Sequence, residues 1–393
     1  MRRHSIALAV SSLVVALSLS TDPAAAAGRV RYVDDDGRAG RTGCDGGVRV
    51  PTGLQRAIDA SARGDTVLVC PGSYVGKVFI RSDNDGLRLA AATDIRPVLR
   101  PPRVGAGAVL VIRGARGVVI EGLRFRPHGG RGACTVIREF IRVLADTRVR
   151  IIDNVFAGLE PYTASCNRYW RALFAWEPLA GQRVEFARNV VRDFGGAALL
   201  MGWNDEEQVD PDGSSVRVVE NRFVSRHRLV SNAGIAVEAW VAGRAVISDN
   251  VVRVDPRSRR EGGLAQIFAY DTVIRRNVAT GLARGIHVAP QAETRARIED
   301  NELRGRVFRE DDDTFDLLGI LLSNEPHHVA RNLVTGFTEE GIESNAFEAV
   351  VEDNDFRGNG GVDCRGGEND GEFEIWRRNL GDESEPAGLC SPP

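Results

Sequence analysis

Three segments near the middle of the chain each place an aromatic residue within three positions of a carboxylate. In chain order they carry Trp203 with Asp205 and Glu206, Glu238 with Trp240, and Tyr270 with Asp271. Aromatic faces suit the apolar C–H faces of sugar rings, and paired carboxylates act as acid, base or nucleophile at a glycosidic bond. This combination predicts a site that binds or cleaves a polysaccharide.

Trp176, which is followed by Glu177, extends this series toward the N-terminus. The predicted substrate-binding residues are Trp176, Trp203, Trp240 and Tyr270, and the predicted catalytic residues are Asp205, Glu206, Glu238 and Asp271. A second interpretation stays open, in which the aromatic side chains only pack beneath long surface segments. The elements that position these residues decide between the two interpretations.

A recurring phrase predicts those elements: a β-branched pair, two polar residues, an Asn and further apolar residues. The Asn positions are Asn154, Asn189, Asn221, Asn250, Asn277, Asn301, Asn332, Asn354 and Asn379. Their spacing of 22 to 35 residues indicates a solenoid built from strands. Asn tolerates positive φ, so we predict each Asn at a corner between two strands, hydrogen-bonded to the Asn of the next coil. Gly122 replaces the Asn in one copy, as a corner with positive φ allows.

A second phrase starts the next strand of each coil, with a Gly followed by alternating apolar residues. Examples begin at Gly234, Gly263 and Gly285. Stacked strands lie about 4.8 Å apart, so equivalent outward positions on successive coils form a strip. We therefore expect the aromatic and acidic residues to lie along one groove.

The two phrases resemble the repeats of right-handed parallel β-helix proteins of the pectin-lyase-like superfamily. Residues 64–74 resemble the N-terminal plug of that superfamily, and residues 373–390 resemble the closing segment of secreted bacterial members. The resemblance implies an all-β fold, a single right-handed parallel β-helix of about ten coils over residues 28–393. Its N-terminal cap would span residues 28–80 and its C-terminal cap residues 360–393.

That superfamily contains lyases, hydrolases, epimerases and proteins with no known reaction. A non-catalytic extracellular or cell-surface binding protein is therefore the alternative to an enzyme. If the protein is a hydrolase, the carboxylates above supply the acid and the base. If it is a uronan lyase, the resemblance implies an Arg base and Ca²⁺, and Arg168, Arg171 and Arg226 lie in or near the insertions.

Other polar groups are weaker candidates. Acidic runs that could bind Ca²⁺ are Glu310 to Asp313 with Asp316, and Asp34 to Asp36, but neither run has the EF-hand spacing, so a solvated acidic loop is the favoured interpretation of both. His287 is expected at an outward position, with Glu343 two coils further along the same column. His327 and His328 are expected in a loop.

One helix is expected near the N-terminus. Thr52 as N-cap and Gln55 three residues later predict a capping box, and Gly64 is expected to end the helix. Leu54 and Ile58 share its apolar face. We expect this helix to close the N-terminal end of the solenoid.

Residues 1–27 have the features of a secretory signal, with Arg2 and Arg3, an apolar run and a small-residue site before Gly28. A secreted monomer without a membrane span is therefore expected. The cysteines fit an oxidising compartment, and neighbour pairing, one of fifteen connectivities, joins Cys44 to Cys70, Cys134 to Cys166 and Cys364 to Cys390. The net charge of −3 gives no electrostatic argument for nucleic acid as a partner.

Overall fold

The chain forms a right-handed parallel β-helix in the computed structural model, as the sequence predicts. The structure describes residues 28–40, 42–45, 53–102, 107–127, 139–158, 171–176, 181–194, 197–202, 214–225, 234–255, 262–288, 295–306, 317–323, 326–367 and 374–392. All strand pairs in these ranges are parallel, and each strand pairs with its equivalents in the neighbouring coils. No helix in the described ranges is long and apolar enough to cross a membrane.

The first sheet carries the strands that begin near the Gly phrase. They are β4 (Val78–Arg81), β7 (Leu110–Arg113), β10 (Glu139–Leu144), β13 (Arg171–Trp176), β16 (Leu199–Met201), the first part of β19 (Gly234–Ser248), the first part of β21 (Gly262–Arg275), β23 (Arg284–Val288), β26 (Ile320–Ser323), β29 (Ile342–Asn345), β31 (Cys364–Gly366) and β33 (Ser384–Glu385).

The second sheet precedes the Asn corners and includes the second parts of β19 and β21. Its other strands are β1 (Val30–Val33), β2 (Thr66–Val69), β5 (Arg88–Ala91), β8 (Arg116–Glu121), β11 (Arg148–Ile152), β14 (Arg183–Ala187), β17 (Ser214–Val219), β24 (Arg295–Glu299), β27 (His328–Ala330), β30 (Val350–Glu352) and β32 (Ile375–Arg377).

The third sheet follows the Asn corners and has ten strands, in agreement with the expected number of coils. They are β3 (Ser73–Val75), β6 (Val98–Arg100), β9 (Arg124–Phe125), β12 (Val155–Ala157), β15 (Val190–Arg192), β18 (Arg222–Ser225), β20 (Val251–Val254), β22 (Val278–Leu282), β25 (Glu302–Gly305) and β28 (Leu333–Thr335). The first and second sheets extend further because the end segments add strands to them.

The core fills the space between the three sheets. Successive side chains of a strand point to opposite faces, so alternate residues are buried. In β24, for example, Ala296 and Ile298 are buried while Arg295 and Arg297 are exposed. Phenylalanines add to this core, and the rings of Phe125 and Phe156 stack with centroids 4.8 Å apart.

The Asn residues form a continuous buried ladder along the solenoid, as predicted. Asn250 shows the pattern: its Oδ1 accepts hydrogen bonds from the backbone N–H of Asn221 at 2.9 Å and from Asn221 Nδ2 at 3.0 Å. Its own Nδ2 donates to the Val218 carbonyl and to Asn277 Oδ1, both at 2.9 Å. The same contacts link consecutive members from Asn154 to Asn379. The ladder thus satisfies backbone groups that the corner removes from the strands.

The prediction that the Asn residues themselves adopt positive φ is wrong. The left-handed residue is the one before each Asn, as at Asp153, Arg188 and Asp249. Gly122 also has positive φ, at 72°, and the register aligns it with Asp153 rather than with Asn154. An Asn recurs in successive coils because its side-chain amide hydrogen-bonds to the coils on both sides of its own. The residue before the Asn supplies the bend.

The residues at the left-handed position form a second, exposed ladder of opposite charges. Arg276 makes two hydrogen bonds to Asp249, at 2.7 and 2.8 Å, and Arg188 makes two to Asp153. The neighbouring arginine lowers the pKa of the Asp249 carboxyl. Exposed pairs of this kind contribute little stability individually, so the buried Asn ladder is the main polar support of the corner.

The N-terminal helix, α1 (Leu54–Asp59), is shorter than predicted and has a different cap. Gly53 is its N-cap, without a side-chain hydrogen bond, and Ala60 rather than Gly64 ends it. Gln55 does not form a capping box. Its side chain accepts a hydrogen bond from the Phe79 N–H at 2.7 Å and donates one to the Phe79 carbonyl at 3.1 Å. Gln55 therefore covers the free edge of β4, where an unpaired strand would otherwise expose its backbone.

Two of the three predicted disulfides lie in the described ranges and are present. They join Cys44 to Cys70 and Cys364 to Cys390, one near each end of the solenoid. Trp376 packs partly buried against the last coils, as expected for a closing segment. Cys134 and Cys166 lie outside the described residues, as do the predicted signal segment and Thr52.

Replacing Asn250 with Ala tests the ladder. The substitution leaves the buried N–H groups of Asn221 and the Val218 carbonyl without their partner, and each such group costs about 1–3 kcal/mol. We expect a loss of about 2–5 kcal/mol in the free energy of unfolding, measured by urea denaturation. Asn345→Ala, at an exposed position of β29, is the matched control and should change little. Equal losses in both variants would contradict the structural role of the ladder.

Candidate functional site

The outer face of the first sheet carries a column of residues in direct register across the coils. From the N-terminal end it contains Phe79, Val111, Arg142, Phe174, Leu200, Glu238, Gln266, His287, Leu321, Glu343 and Arg365. We call this set the first-sheet column. Inward neighbours such as Val237 and Ile286 belong to the core, which holds the strands in place.

Three polar residues of different chemistry occupy successive coils of this column. Glu238 pairs with Gln266, and Gln266 pairs with His287. All three side chains are half-buried. Successive coils are about 4.8 Å apart, and Glu238 and His287 are separated by two coils, so their backbones are roughly 9–10 Å apart. A carboxylate and an imidazole thus lie on either side of an amide on one face.

Three aromatic residues share the neighbouring backbone register. The backbone of Trp240 pairs with that of Phe268 in the next coil, and Trp176 takes the equivalent place in β13. Phe268 is 8% exposed, and its ring lies 6.4 Å from the His287 ring, between centroids. The register therefore places the three residues in one row of backbone positions, and the role of Trp176 and Trp240 in substrate binding stays a prediction.

Tyr270 was predicted for that place and does not occupy it. Gly234 pairs with Gly262, not with Gly263, so the equivalent of Trp240 is Phe268. Tyr270 lies two residues further, next to the corner. The sequence has two adjacent glycines here, Gly262 and Gly263. Counting from Gly262, which is the strand partner of Gly234, gives Phe268 as the equivalent of Trp240.

Asp271 lies beyond the corner, on the second sheet. It is opposite Arg244 and Arg295 in register, and its carboxylate is 3.3 Å from Arg244 Nε. The side chain is 61% exposed. The structure therefore does not bring Asp271 into one column with Glu238. Trp203, Asp205, Glu206, Arg168 and Arg226 lie outside the described residues and stay predictions.

A cationic group lies two to three coils from Glu238 toward the N-terminus. The guanidinium groups of Arg142 and Arg171 lie over the Phe174 ring, 5.7 and 5.5 Å from its centroid. Arg142 also forms an ion pair with Glu139, which is 1% exposed. Cation–π contact and the buried carboxylate both hold Arg142 at the surface of the sheet.

The two other histidines in the described ranges, His327 and His328, have structural partners, and the predicted loop position is wrong for His328, which begins β27. His327 is buried, and its Nδ1 accepts a hydrogen bond from the Ala296 N–H at 3.2 Å. His328 lies on the second sheet between Glu299 and Glu352, at 3.3 and 3.2 Å. Neither residue lies in the first-sheet column.

Of the two acidic runs, the structure describes Asp34 to Asp36. One ligand oxygen from each carboxylate lies within 4.8 Å of the others. They line one wall of a cavity of about 540 Å³ at the N-terminal end, together with Leu54 and Lys77. Burial and the neighbouring Asp36 carboxylate raise the pKa of the Asp34 carboxyl. The run from Glu310 to Asp316 lies outside the described residues.

Comparison with known proteins agrees with this fold. No protein-family model matches the chain, and no curated protein is similar to it. Among solved structures, a PL6 alginate lyase in complex with a trisaccharide is 13% identical, with 92% of this chain and 88% of that chain covered and a TM-score of 0.56. The Dettilon tailspike protein is 13% identical, with 86% and 64% covered and a TM-score of 0.52. At this identity the likeness shows the parallel β-helix fold alone.

The Asp34 cluster generates a pH-dependent prediction. A carboxyl with a raised pKa in the folded state destabilises the fold as the pH rises through that value. Asp34→Asn should therefore raise the free energy of unfolding at pH 7, and the gain should disappear at pH 3, where Asp34 is protonated. Urea denaturation at both pH values measures this, with the exposed Asp94→Asn as control. A gain that persists at pH 3 would contradict the electrostatic cause.

Proposed function

We propose that this protein is exported and that it binds and cleaves a polysaccharide along the first-sheet column. The observation that carries the proposal is the alignment of Glu238, Gln266 and His287 on three successive coils. A groove along stacked strands suits a linear polymer because each coil presents one position to the ligand. The alignment provides two ionisable groups and a neutral hydrogen-bonding group between them.

The spacing of these groups supports chemistry at a sugar. Two coils leave roughly 9–10 Å between the Glu238 and His287 backbones, enough for a pyranose ring or for a ring and a water. In a hydrolysis, Glu238 would either donate a proton to the glycosidic oxygen as the C–O bond breaks or, as a base, take a proton from the attacking water. In an elimination, His287 would take the proton next to a uronate carboxylate. Gln266 can hydrogen-bond sugar hydroxyls in either reaction.

The surroundings support a carbohydrate as the substrate. Trp176, Trp240 and Phe268 share one backbone register beside the column, and the guanidinium groups of Arg142 and Arg171 place positive charge over the Phe174 ring within the column. The fold is that of an alginate lyase solved with a trisaccharide, which makes a polyuronate the first substrate to test. The disulfides and the signal-like segment support export.

A non-catalytic binding protein is the second candidate. The position of Asp271 on the second sheet favours it, because the described part of the column then holds Glu238 as its one predicted catalytic carboxylate. Binding without product formation would then be the whole activity. The two candidates share the same groove and differ only in turnover.

The test is cleavage of a polysaccharide panel by the purified protein, including alginate, polygalacturonate and neutral glucans, with and without Ca²⁺. Ultraviolet absorbance detects unsaturated uronates, and a reducing-end assay detects hydrolysis. We expect Glu238→Gln and His287→Asn to lower kcat by about 10²–10⁴-fold, the usual contribution of an acid or base. Asp271→Asn, on the second sheet, is the control and should retain activity.

The outcomes separate the candidates. Absorbance growth identifies a lyase, and reducing ends without absorbance identify a hydrolase. Full activity in both Glu238→Gln and His287→Asn would exclude the column as the catalytic site. Polysaccharide binding by the wild-type protein without any product would favour the non-catalytic candidate.

A further inference from the structure

The outer face of the third sheet carries arginines at a regular interval. Arg126, Arg192 and Arg253 share one outward register, with Ala157 and Val224 on the coils between them. From Arg126 onward an arginine therefore recurs every second coil, roughly every 9.6 Å, and Arg100 precedes Arg126 by one coil in the same register. Arg192, Arg253 and Arg126 are exposed. We call these residues, together with Arg96, Arg100, Arg124 and Arg222 on the same face, the arginine strip.

No carboxylate interrupts this strip on the strands from β3 to β22. The other outward side chains of those strands are small and apolar or hydroxylic: Ser73, Val75, Val98, Val155, Val190, Val251, Val278 and Thr280. The first acidic residue at an outward position is Glu302 of β25, which pairs with Arg304. The N-terminal eight strands of this face thus present cations on a flat aliphatic surface.

None of the seven arginines forms an ion pair with a residue in the described ranges. Arg96 and Arg100 donate to backbone carbonyls of Asp153 and Pro127, and Arg124 Nε is buried without a hydrogen-bond partner among the described groups. Burial and the charges of Arg126, Arg192, Arg100 and Arg96 lower the pKa of the Arg124 guanidinium. The cluster is therefore self-repelling in the free protein.

The second sheet shows the contrast. Its outer face also carries arginines, but acidic residues stand among them, as in the pairs Arg88 with Glu121 and Arg150 with Glu185. Since the whole chain has a net charge of −3, the unneutralised cations of the third sheet are a local feature and not an overall excess.

We infer that the arginine strip binds a linear anionic polysaccharide, one that carries carboxylate or sulfate groups, at a surface separate from the first-sheet column. Guanidinium groups bind carboxylates and oxyanions through paired N–H donors. A ligand that brings anions to this face relieves the repulsion within the cluster. The inference does not require the protein to be an enzyme.

The shape of the strip favours a polysaccharide as the partner. An extended chain of linked sugars presents acidic groups at regular intervals, and two coils correspond to about two rings. The valines between the arginines offer flat apolar contact to the C–H faces of those rings. A duplex nucleic acid would instead require a wider basic surface that follows two phosphate backbones.

The experiment measures binding of the full chain to polygalacturonate and to heparin by affinity gel electrophoresis, with neutral dextran and a DNA duplex as comparison ligands. The test variant replaces Arg126, Arg192 and Arg253 with Gln. The matched control replaces Arg183, Arg217 and Arg297, three exposed arginines of the second sheet, with Gln. Thermal unfolding of both variants verifies that they remain folded.

We expect the test variant to bind the anionic polysaccharides at least tenfold more weakly than the wild-type protein, and the control variant to stay within twofold. Binding should weaken with added salt, and dextran should not bind at this face. Equal losses in both variants, or no binding by the wild-type protein, would overturn the inference. Tighter binding of the DNA duplex with the same dependence on the strip would also overturn it. The test variant should keep any cleavage activity of the wild-type protein, because its three arginines lie on a different sheet from the first-sheet column, which separates this result from the catalytic proposal.

Discussion

The buried hydrogen bonds between Asn side chains are the interaction on which the rest of this structure depends. Each corner turns the chain through a left-handed residue, and the strands lose their regular backbone partners there. The Asn amide restores them, since it accepts from the preceding coil and donates both to that same coil and to the following one. Because an unsatisfied buried polar group costs about 1–3 kcal/mol, a coil cannot shift in register without losing several such bonds. The ladder therefore holds every outward residue opposite its equivalent in the next coil.

Fixed register makes the three faces chemically distinct. The first sheet carries carboxylate, amide and imidazole on neighbouring coils, the second mixes both signs of charge, and the third presents arginine without acid over most of its length. None of these patterns requires an unusual backbone. Each pattern depends only on the residue type at one outward position of each coil. The same scaffold therefore supports a candidate catalytic face and a candidate binding face side by side.

Much of the fold could be predicted from the sequence because the Asn phrase repeats the local physics of a corner many times. The disulfides Cys44–Cys70 and Cys364–Cys390 could also be predicted, since neighbouring cysteines are brought together by adjacent coils. The position of the left-handed residue could not, because Arg and Glu occupy it as well as Asp, so no single residue type marks it in the sequence. Gly122 marks the left-handed position in the sequence, but it corresponds to Asp153 and not, as predicted, to Asn154.

The site was harder to predict because register across coils is a long-range property. Counting from Gly263 placed Tyr270 beside Trp240, whereas strand pairing places Phe268 there and moves Asp271 past the corner to Arg244. Glu238 was identified correctly as an outward residue of the first sheet, and His287 with Glu343 as members of one column. The arginine strip was missed, since its members lie far apart in sequence and only the third-sheet pairing aligns them.

The tight corner at each Asn also determines where this chain can change in length. An added residue between the second and third sheets would separate an Asn from both of its neighbours in the ladder. The connection from the third sheet to the first carries no such constraint: it is a single residue, Ala283, between β22 and β23, and much longer between β9 and β10. The connection from the first sheet to the second also varies in length, since it is absent within β19 and β21 and spans residues 202–213 between β16 and β17. Insertions, grafted loops or fused domains should therefore be tolerated at these two edges rather than at the Asn corner, and the solenoid can acquire new surface segments there without any change in its coils.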